Sequence, residues 1–585
     1  MTVDGLYCEP AALDWSQPGG PRASDYGDVY FSAEDGLEET KAVFLKGCGL
    51  PEAWAGRRNF AVAELGFGTG LNALGLWQLW REVGPRDGWL DLVSIEKHPL
   101  DRAAAARAFA AWPALSDLAN RLLAQWPSRL RGPQRLVFPE DRFAITIYQD
   151  DVEAALEQMD GPFDAWFLDG FAPDRNAAMW SQAVFNRIGA LSSPGARVGT
   201  FTVAGFVRRG LAEAGFEVAK RPGFGRKRER LEAVWPVQPE VRSASRLDGP
   251  VAVLGGGIAG ASLVHALRAR GVDTILIDAA GLSGGASGAP AGLLTPRLEK
   301  ADRPHVRATL AAFDFAARLY AGRSGFAAET VHRLPKDARE AERFSVLADW
   351  MPDHLVWTGE RLILANAGRF DPRALVADLA GDVACVKARI ERYAIEPDRV
   401  RLLDAEGVCR TEVAHLVIAA GSGAGHFHPD LEPSAGQVAV FAGEPPAIPV
   451  SWGHYACRAG SGVLVGATHI RGETPGPDDL AEAGFRAAAA ERLPDIGLGG
   501  VLERWSGVRA STPDRLPVVG PLSDRVSILS GLGSRGFAHA PLLAEDLASQ
   551  LTGGRAALSR DARAALAPSR FAERRARKSG HNATG

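Results

Sequence analysis

Apolar and polar positions along this chain fall into two blocks of the same design. In each, a short apolar strand runs straight into a glycine-rich turn, and a helix with apolar residues at helical spacing follows. In the first block Phe60 to Leu65 make the strand, Gly66, Gly68 and Gly70 the turn, and Leu71, Leu74, Leu76, Trp77 and Trp80 the apolar helix face. In the second, Val251 to Leu254 lead into Gly255, Gly257 and Gly260, then a helix, then a strand Thr274 to Ile277 ending at Asp278. Residues 235–250 carry Pro, Ser and charge without a period and read as an interdomain linker. The expected division is 1–236, a linker 237–249, 250–570, and a basic tail 571–585 that reads as frayed. A length of 585 residues fits more than one hydrophobic core.

Charge placement gives each block a chemistry. Acids stand at the ends of three successive strands of the first: Glu64 before the glycine turn, Glu96 at the end of DLVSIE, and Asp150 and Asp151 after AITIYQ. The G-x-G-x-G turn with its acid differs from a dinucleotide fingerprint and resembles the S-adenosylmethionine motif of class I methyltransferases. In that setting Glu64 would sit near the methionine amino group, Glu96 would take the ribose hydroxyls, and Asp151 would lie by the adenine. A further strand, Phe163 to Leu168, ends at Asp169, where open α/β sheets place their ligands. Asp169 reads either as an acceptor for the proton of an amine being methylated or as a helix N-cap with no chemistry.

The second block passes the full context test for dinucleotide binding, with pyrophosphate on Gly255, Gly257 and Gly260 and the ribose on Asp278. FAD is favoured over NAD by the small-residue loop GGASGAPAGLLTP. A late glycine turn with Gly531 and Gly533, before a helix from about Ala540, points the same way. Short strands such as GQVAVF and GVLVGAT suggest an antiparallel substrate-binding sheet. Arg509, after a Trp and before a Pro-flanked turn, is suited to bidentate capture of a carboxylate or, failing that, to a structural ion pair.

Composition narrows the setting. Hydrophobic residues at 46% and charged ones at 23% are ordinary for a globular protein. Five scattered cysteines with no C-x-x-C pair argue against disulfides or zinc, so no metal is expected. The N-terminus lacks a signal-peptide pattern and no apolar run has transmembrane length, so the expected place is the cytoplasm, with no membrane partner. A net charge of −4 disfavours indiscriminate nucleic-acid binding but leaves room for local patches. Two exist: Arg208 to Arg230, and Arg574, Arg575, Arg577 and Lys578 in the tail.

Several long segments, in order, carry a closer resemblance: DVYFSAEDGLEETKAVFL, ELGFGTGLNAL, FLDGFAPDRNAAMW, TFTVAGFVRRGLAEAGFEVAKRPGFGRKRE, GGASGAPAGLLTP and GLGSRGFAHAPLLAE. Together they resemble the bifunctional tRNA 5-methylaminomethyl-2-thiouridine biosynthesis proteins over nearly the whole chain. The resemblance implies an α/β architecture: an N-terminal class I, Rossmann-like methyltransferase domain and a C-terminal two-lobed FAD-binding oxidoreductase of the glycine/D-amino-acid oxidase type. It also implies two reactions on the wobble uridine, in the anticodon loop of tRNA. The FAD half would oxidise a 5-carboxymethylaminomethyl group to 5-aminomethyl with release of glyoxylate, and the other half would methylate that amine from S-adenosylmethionine. Arg509 would then meet the substrate carboxylate and Asp169 the amine. Arg226, Lys227 and Arg228 would contact RNA phosphates, with Phe224 available for base stacking. No cysteine lies near Arg509 in the sequence, so FAD is expected to be non-covalent. Thr295 and His469 depart from the family pattern, where tyrosines are expected. Two rival readings remain at this point: a small-molecule amine oxidase fused to a small-molecule N-methyltransferase, and a fusion in which one half has become an RNA-binding or scaffolding module.

Overall fold

The strand Asn59–Leu65 is buried on both faces and lies between two parallel neighbours, Trp89–Glu96 and Phe163–Leu168, as its unbroken apolar run requires. The computed structural model describes residues 5–16, 20–30, 36–225, 228–236, 247, 249–472 and 479–582. It divides into two compact units, Met1–Arg246 with Ser549–Arg560, and Leu247–Ala548 with Asp561–Gly585.

Among the described residues the first unit is built on one eight-stranded sheet. Its five central strands are parallel, in the order Ser192–Thr200, Phe163–Leu168, Asn59–Leu65, Trp89–Glu96 and Phe143–Gln149. Antiparallel strands close both sides: Gly132–Phe138 at one edge, and Glu229–Val234 followed by Glu217–Pro222 at the other. The chain runs outward one way from Asn59–Leu65 and later the other way, so its order reverses beside Phe163–Leu168. That switch point opens a crevice at the carboxyl ends of these two strands.

The same sheet holds a buried ion pair. Arg135 and Asp91 are 2.9 Å apart with side chains 0% and 2% exposed. Asp91 also accepts the backbone N–H of Arg555 at 3.0 Å. This corrects the expectation that 250–570 is continuous. Residues 549–560 pack with the first unit because its buried Asp91, Asn59 and the carbonyl of Pro162 satisfy their polar groups. Of the expected linker, only Leu247 and Gly249 fall within the described residues.

In the second unit a six-stranded sheet carries Thr274–Ile277, Val251–Leu254, His415–Ile418 and Val526–Ser530 as parallel neighbours. A second, mainly antiparallel sheet of nine strands contains Glu432–Phe441 paired with Val501–Ser511, as the short strands of the sequence suggest. Two expectations change. The helix expected from about Ala540 begins at Gly536, directly after a single turn at Gly533–Arg535. Within the described residues the expected frayed tail is a helix, Arg570–Asn582, because Phe571 is buried and Arg570 and Arg574 both bind Asp514; 583–585 lie outside the described residues. Arg575 pairs with Asp430. No helix among the described residues is long and apolar enough to cross a membrane.

Replacing Arg135 with leucine leaves the Asp91 carboxylate buried and unpaired, and is expected to cost the first unit about 3–5 kcal/mol. The double replacement of Asp91 and Arg135 by leucine recovers part of that loss. Chemical denaturation of the three proteins checks it; equal stability of the single variant and wild type would show that the pair is immaterial.

Candidate functional site

Three glycines in the first turn all adopt left-handed backbone: Gly66 at φ +93°, Gly68 at +53° and Gly70 at +82°. Their conformation, disfavoured with a Cβ, turns the chain at the end of Asn59–Leu65 and starts the helix Leu71–Val83. A cavity of about 340 Å³ opens there. Gly66, Gly68, Glu96, Asp150, Asp151 and Asp169 all line it, so the acids expected at separate strand ends do converge.

Each acid is held in a particular way. Glu96 accepts the backbone N–H of Gly68 through one oxygen and that of His98 through the other, both at 2.8 Å, and burial raises its pKa. Asp151 accepts the N–H of Glu153 as the cap of the helix Val152–Gln158 and lies 3.3 Å from the Lys97 ammonium. Asp150 pairs with Arg131 at 2.8 Å. Glu64 is fully buried one side chain behind the wall, where Ser94 donates to it at 2.6 Å and Asn72 at 3.0 Å.

Asn72 is the residue that sequence reasoning missed. Its amide nitrogen donates both to Glu64 and, at 2.7 Å, to Asp169, while Thr40 donates to its carbonyl oxygen at 2.7 Å. The available signal was a polar residue at the second position of an otherwise apolar helix turn. Burial, reinforced by the nearby Asp169, pushes Glu64 up to about 8 against the hydrogen bonds from Ser94 and Asn72. The N-cap alternative for Asp169 does not hold, since Gly170–Pro173 is irregular and the next helical turn is Ala177–Trp180.

Aromatic rings form another part of the wall. Tyr26 stacks on Phe171 at 4.7 Å, and Tyr30 meets the same ring edge-on at 5.3 Å. Both tyrosines lie near the N-terminus, about 140 residues from Phe171, and no local pattern marks them.

The second unit repeats the design. A cavity of about 170 Å³ is lined by Gly255, Gly257, Asp278, Arg509, Gly531 and Gly533, among others. A Cβ at Gly260 would lie 1.8 Å from the Gly255 carbonyl oxygen, so helix and turn meet only through glycine. Asp278 accepts the N–H groups of Gly256, Ala280 and Gly281 at 2.7–3.0 Å. Arg509 sits on Val501–Ser511 with one nitrogen 3.3 Å from Nδ1 of His469. A Cβ at Gly436 would lie 2.4 Å from each of its terminal nitrogens, so a glycine leaves the room that its fork occupies. Burial lowers the Arg509 pKa, opposed by nearby Tyr455, whose hydroxyl donates to the Ala291 carbonyl at 3.3 Å.

The basic run fares unevenly. Arg226 and Lys227 lie outside the described residues, and Arg228 is exposed. Lys220 pairs with Glu229, and Arg221 and Arg230 pair with Glu232. Phe224 is half-buried and packs against the first unit's core.

The residues present fit both expected groups. The left-handed turn and ring of acids suit a nucleoside carrying an amino acid, and the second glycine cradle suits a pyrophosphate at a helix N-terminus. A family model for S-adenosyl-L-methionine-dependent methyltransferases matches residues 113–236, and one for FAD dependent oxidoreductases matches 250–550. The chain is 74% identical over 585 residues to the tRNA 5-methylaminomethyl-2-thiouridine biosynthesis bifunctional protein of Maricaulis maris (strain MCS10), covering 100% of both. It is 43% identical to the like-named protein of Caulobacter vibrioides (strain ATCC 19089 / CIP 103742 / CB 15), covering 93% of this chain and 94% of that one. Among solved structures, glycine oxidase from Geobacillus kaustophilus aligns at 20% identity and a TM-score of 0.47, over 54% of this chain and 97% of that one.

Glu64 generates a pH test. Its folded value near 8 lies above the ordinary 4.5, so its contribution to stability is full below 4.5 and falls as pH rises toward 8. The loss runs at up to about 1.4 kcal/mol per pH unit within that window. Thermal unfolding of cofactor-free protein from acid to pH 8.5 should show this slope, and Glu64→Gln should flatten it. An unchanged slope in the variant would assign the titration to another group.

Proposed function

This chain belongs to the family of tRNA 5-methylaminomethyl-2-thiouridine biosynthesis bifunctional proteins, and we propose that it completes a modified wobble uridine of tRNA in two successive reactions. The observation that carries the reading is that one chain holds both sites whole: a glycine turn ringed by acids, and a glycine cradle facing an arginine fork. When bound, FAD supplies a two-electron acceptor and S-adenosylmethionine an electrophilic methyl group.

In the oxidase half the substrate carries a 5-carboxymethylaminomethyl arm. Arg509 binds the carboxylate of that arm through two parallel N–H donors, and so presents the adjacent methylene and its C–N bond to the acceptor. Loss of a hydride from that carbon and a proton from nitrogen gives an imine, and water then splits it into glyoxylate and the 5-aminomethyl nucleoside. Gly436 keeps the fork in place by leaving space behind it.

In the methyltransferase half Asp169 faces the incoming amine. An amine attacks only as the neutral base, and a carboxylate at this point accepts its proton and orients its lone pair. Asn72 holds Asp169 and Glu64 together, Glu64 acts on the cofactor's amino group from behind the wall through Asn72, and Glu96 and Asp151 serve its ribose and base. The RNA arrives through its anticodon loop, and exposed Arg228 is one backbone contact. The cytoplasm, where tRNA is processed, is the proposed place of action.

Nucleoside mass spectrometry of carboxymethylaminomethyl-bearing tRNA tests the order of steps. Incubation without S-adenosylmethionine should yield the aminomethyl form, and with it the methylaminomethyl form. Unchanged tRNA from FAD-loaded protein would sink the assignment and favour free amines as substrates. Asp169→Asn should lower methyl transfer by about 10²–10⁴-fold and leave oxidation intact. Gly436→Ala should raise KM for the oxidation about tenfold, or ~1.4 kcal/mol, at unchanged FAD content; an unchanged KM would remove Arg509 from carboxylate capture.

A further inference from the structure

The second unit contains another cavity, of about 280 Å³, that the two reactions do not use. Four arginines line it, Arg297, Arg333, Arg343 and Arg535, with Glu299 as the one acid among its lining residues. Three of the four are anchored. Arg297 donates to the Arg515 carbonyl at 2.7 Å and pairs with Glu299; Arg333 pairs with Glu340 at 3.2 Å over the Phe344 ring; Arg343 donates to the Leu298 carbonyl at 2.9 Å.

Arg535 is different. It stands at the end of the turn Gly533–Arg535, its Nε is buried without a hydrogen bond, and its side chain has no ion pair among the described residues. Burial and the neighbouring Arg333 and Arg297 lower it to about 10. One helical turn on, His539 is 4% exposed, with both ring nitrogens unpartnered. Burial, then Arg535 and Arg297, hold it near 3, so it stays neutral and can accept or donate one hydrogen bond. A guanidinium whose Nε is buried without a partner is costly, and the neighbouring Arg333 and Arg297 add to that cost. Such a cluster is satisfied by an anion with several acceptor oxygens, which guanidinium forks grip in pairs.

The cavity lies close to the oxidation site. Gly533, Ser534 and Gly536, on either side of Arg535, line the cavity of Arg509. The His469 imidazole, partly desolvated, is influenced by both Arg509 and Arg535. The carboxylate of the substrate already has its fork at Arg509. The other anion that every RNA substrate brings, beside the base it presents, is its backbone phosphate. We propose that the Arg297–Arg333–Arg343–Arg535 cavity is a phosphate subsite that grips the RNA backbone next to the nucleotide being oxidised. This rests on the tRNA reading given above, and it extends that reading to a named contact. The Arg509 pocket would recognise the side arm, and the arginine cavity would fix the strand that carries it.

The test is tRNA binding by the full-length, FAD-loaded protein across a range of salt. Arg343→Gln at the rim and Arg535→Gln at the base should each weaken affinity about tenfold at physiological salt. Each should also reduce the slope of log affinity against log salt by about 0.7–0.9, the share of one phosphate contact. Arg343→Lys should restore most of the slope, because a point charge still releases a counterion. FAD absorbance and melting temperature report whether each variant has folded, and Arg535→Lys is the substitute if Arg535→Gln has not. Inorganic phosphate, added at constant ionic strength, should compete with tRNA on the wild type and lose that effect in Arg535→Gln. Wild type that binds and converts tRNA, with slopes unmoved in the variants, would overturn the arginine subsite alone. Wild type that neither binds nor converts tRNA would overturn the parent reading and this one with it. Phosphate that raises the melting temperature only when Arg535 is present, with tRNA slopes unmoved, would make this a free-phosphate site and overturn the RNA assignment.

Discussion

A Cβ at Gly66 would lie 2.4 Å from the carbonyl oxygen of Asp169, and a Cβ at Gly255 would lie 2.3 Å from that of Ala419. In both units the glycine turn after the central parallel strand therefore rests backbone against backbone on the residue that follows a neighbouring parallel strand. Neither contact tolerates a side chain, and both glycines have positive φ. Everything the sites do depends on that approach. It seats each turn at the carboxyl edge of its sheet, aims the following helix N-terminus into the crevice, and brings Asp169 and the 419–422 segment to their cavities.

The contact also explains why one unit can concentrate so many acids. With Gly66 pressed on Asp169, the carboxylates of Glu64 and Asp169 come within reach of one amide, and Asn72 bridges both. Two neighbouring carboxylates resist joint ionisation in a buried setting, and Glu64 takes the strain because it is the more enclosed. A cationic amino group arriving at this network would relieve it. The same electrostatic imbalance that burdens the empty fold thus favours a positively charged ligand. Around Arg535 the logic has the opposite sign, with clustered cations that favour an anion.

Much of this was legible in the sequence, and the reason is locality. The glycine turns, Glu64, Glu96, Asp151, Asp169 and Asp278 each sit at the end of an apolar run, so strand periodicity alone places them. Arg509 was legible as a fork but not as one seated by Gly436, which lies on the partner strand. What stayed hidden was assembled over long distances. Asn72 is an ordinary polar helix residue until the fold sets it between two acids. Tyr26, Tyr30 and Phe171 meet only through tertiary packing. The return of 549–560 depends on Asp91, a buried carboxylate that no linear pattern ties to Arg555.

Basic residues were the least legible, because a charge run does not reveal which of its charges are already neutralised. Lys220, Arg221 and Arg230 looked like a nucleic-acid face, yet acids on the same hairpin pair with them; in the terminal helix Arg574 and Arg575 are likewise paired. An ion pair that must be broken before a phosphate can bind offsets the counterion release that drives RNA association. Useful positive charge is charge the fold has left unsatisfied. By that criterion the relevant arginines of the cavity are Arg343, which donates to the Leu298 carbonyl, and Arg535, whose Nε is buried without a hydrogen bond; Arg297 and Arg333, which complete it, already pair with Glu299 and Glu340. The search for an RNA-binding surface in a chain of net charge −4 is thus a search for uncompensated cations, and those are fixed by tertiary structure.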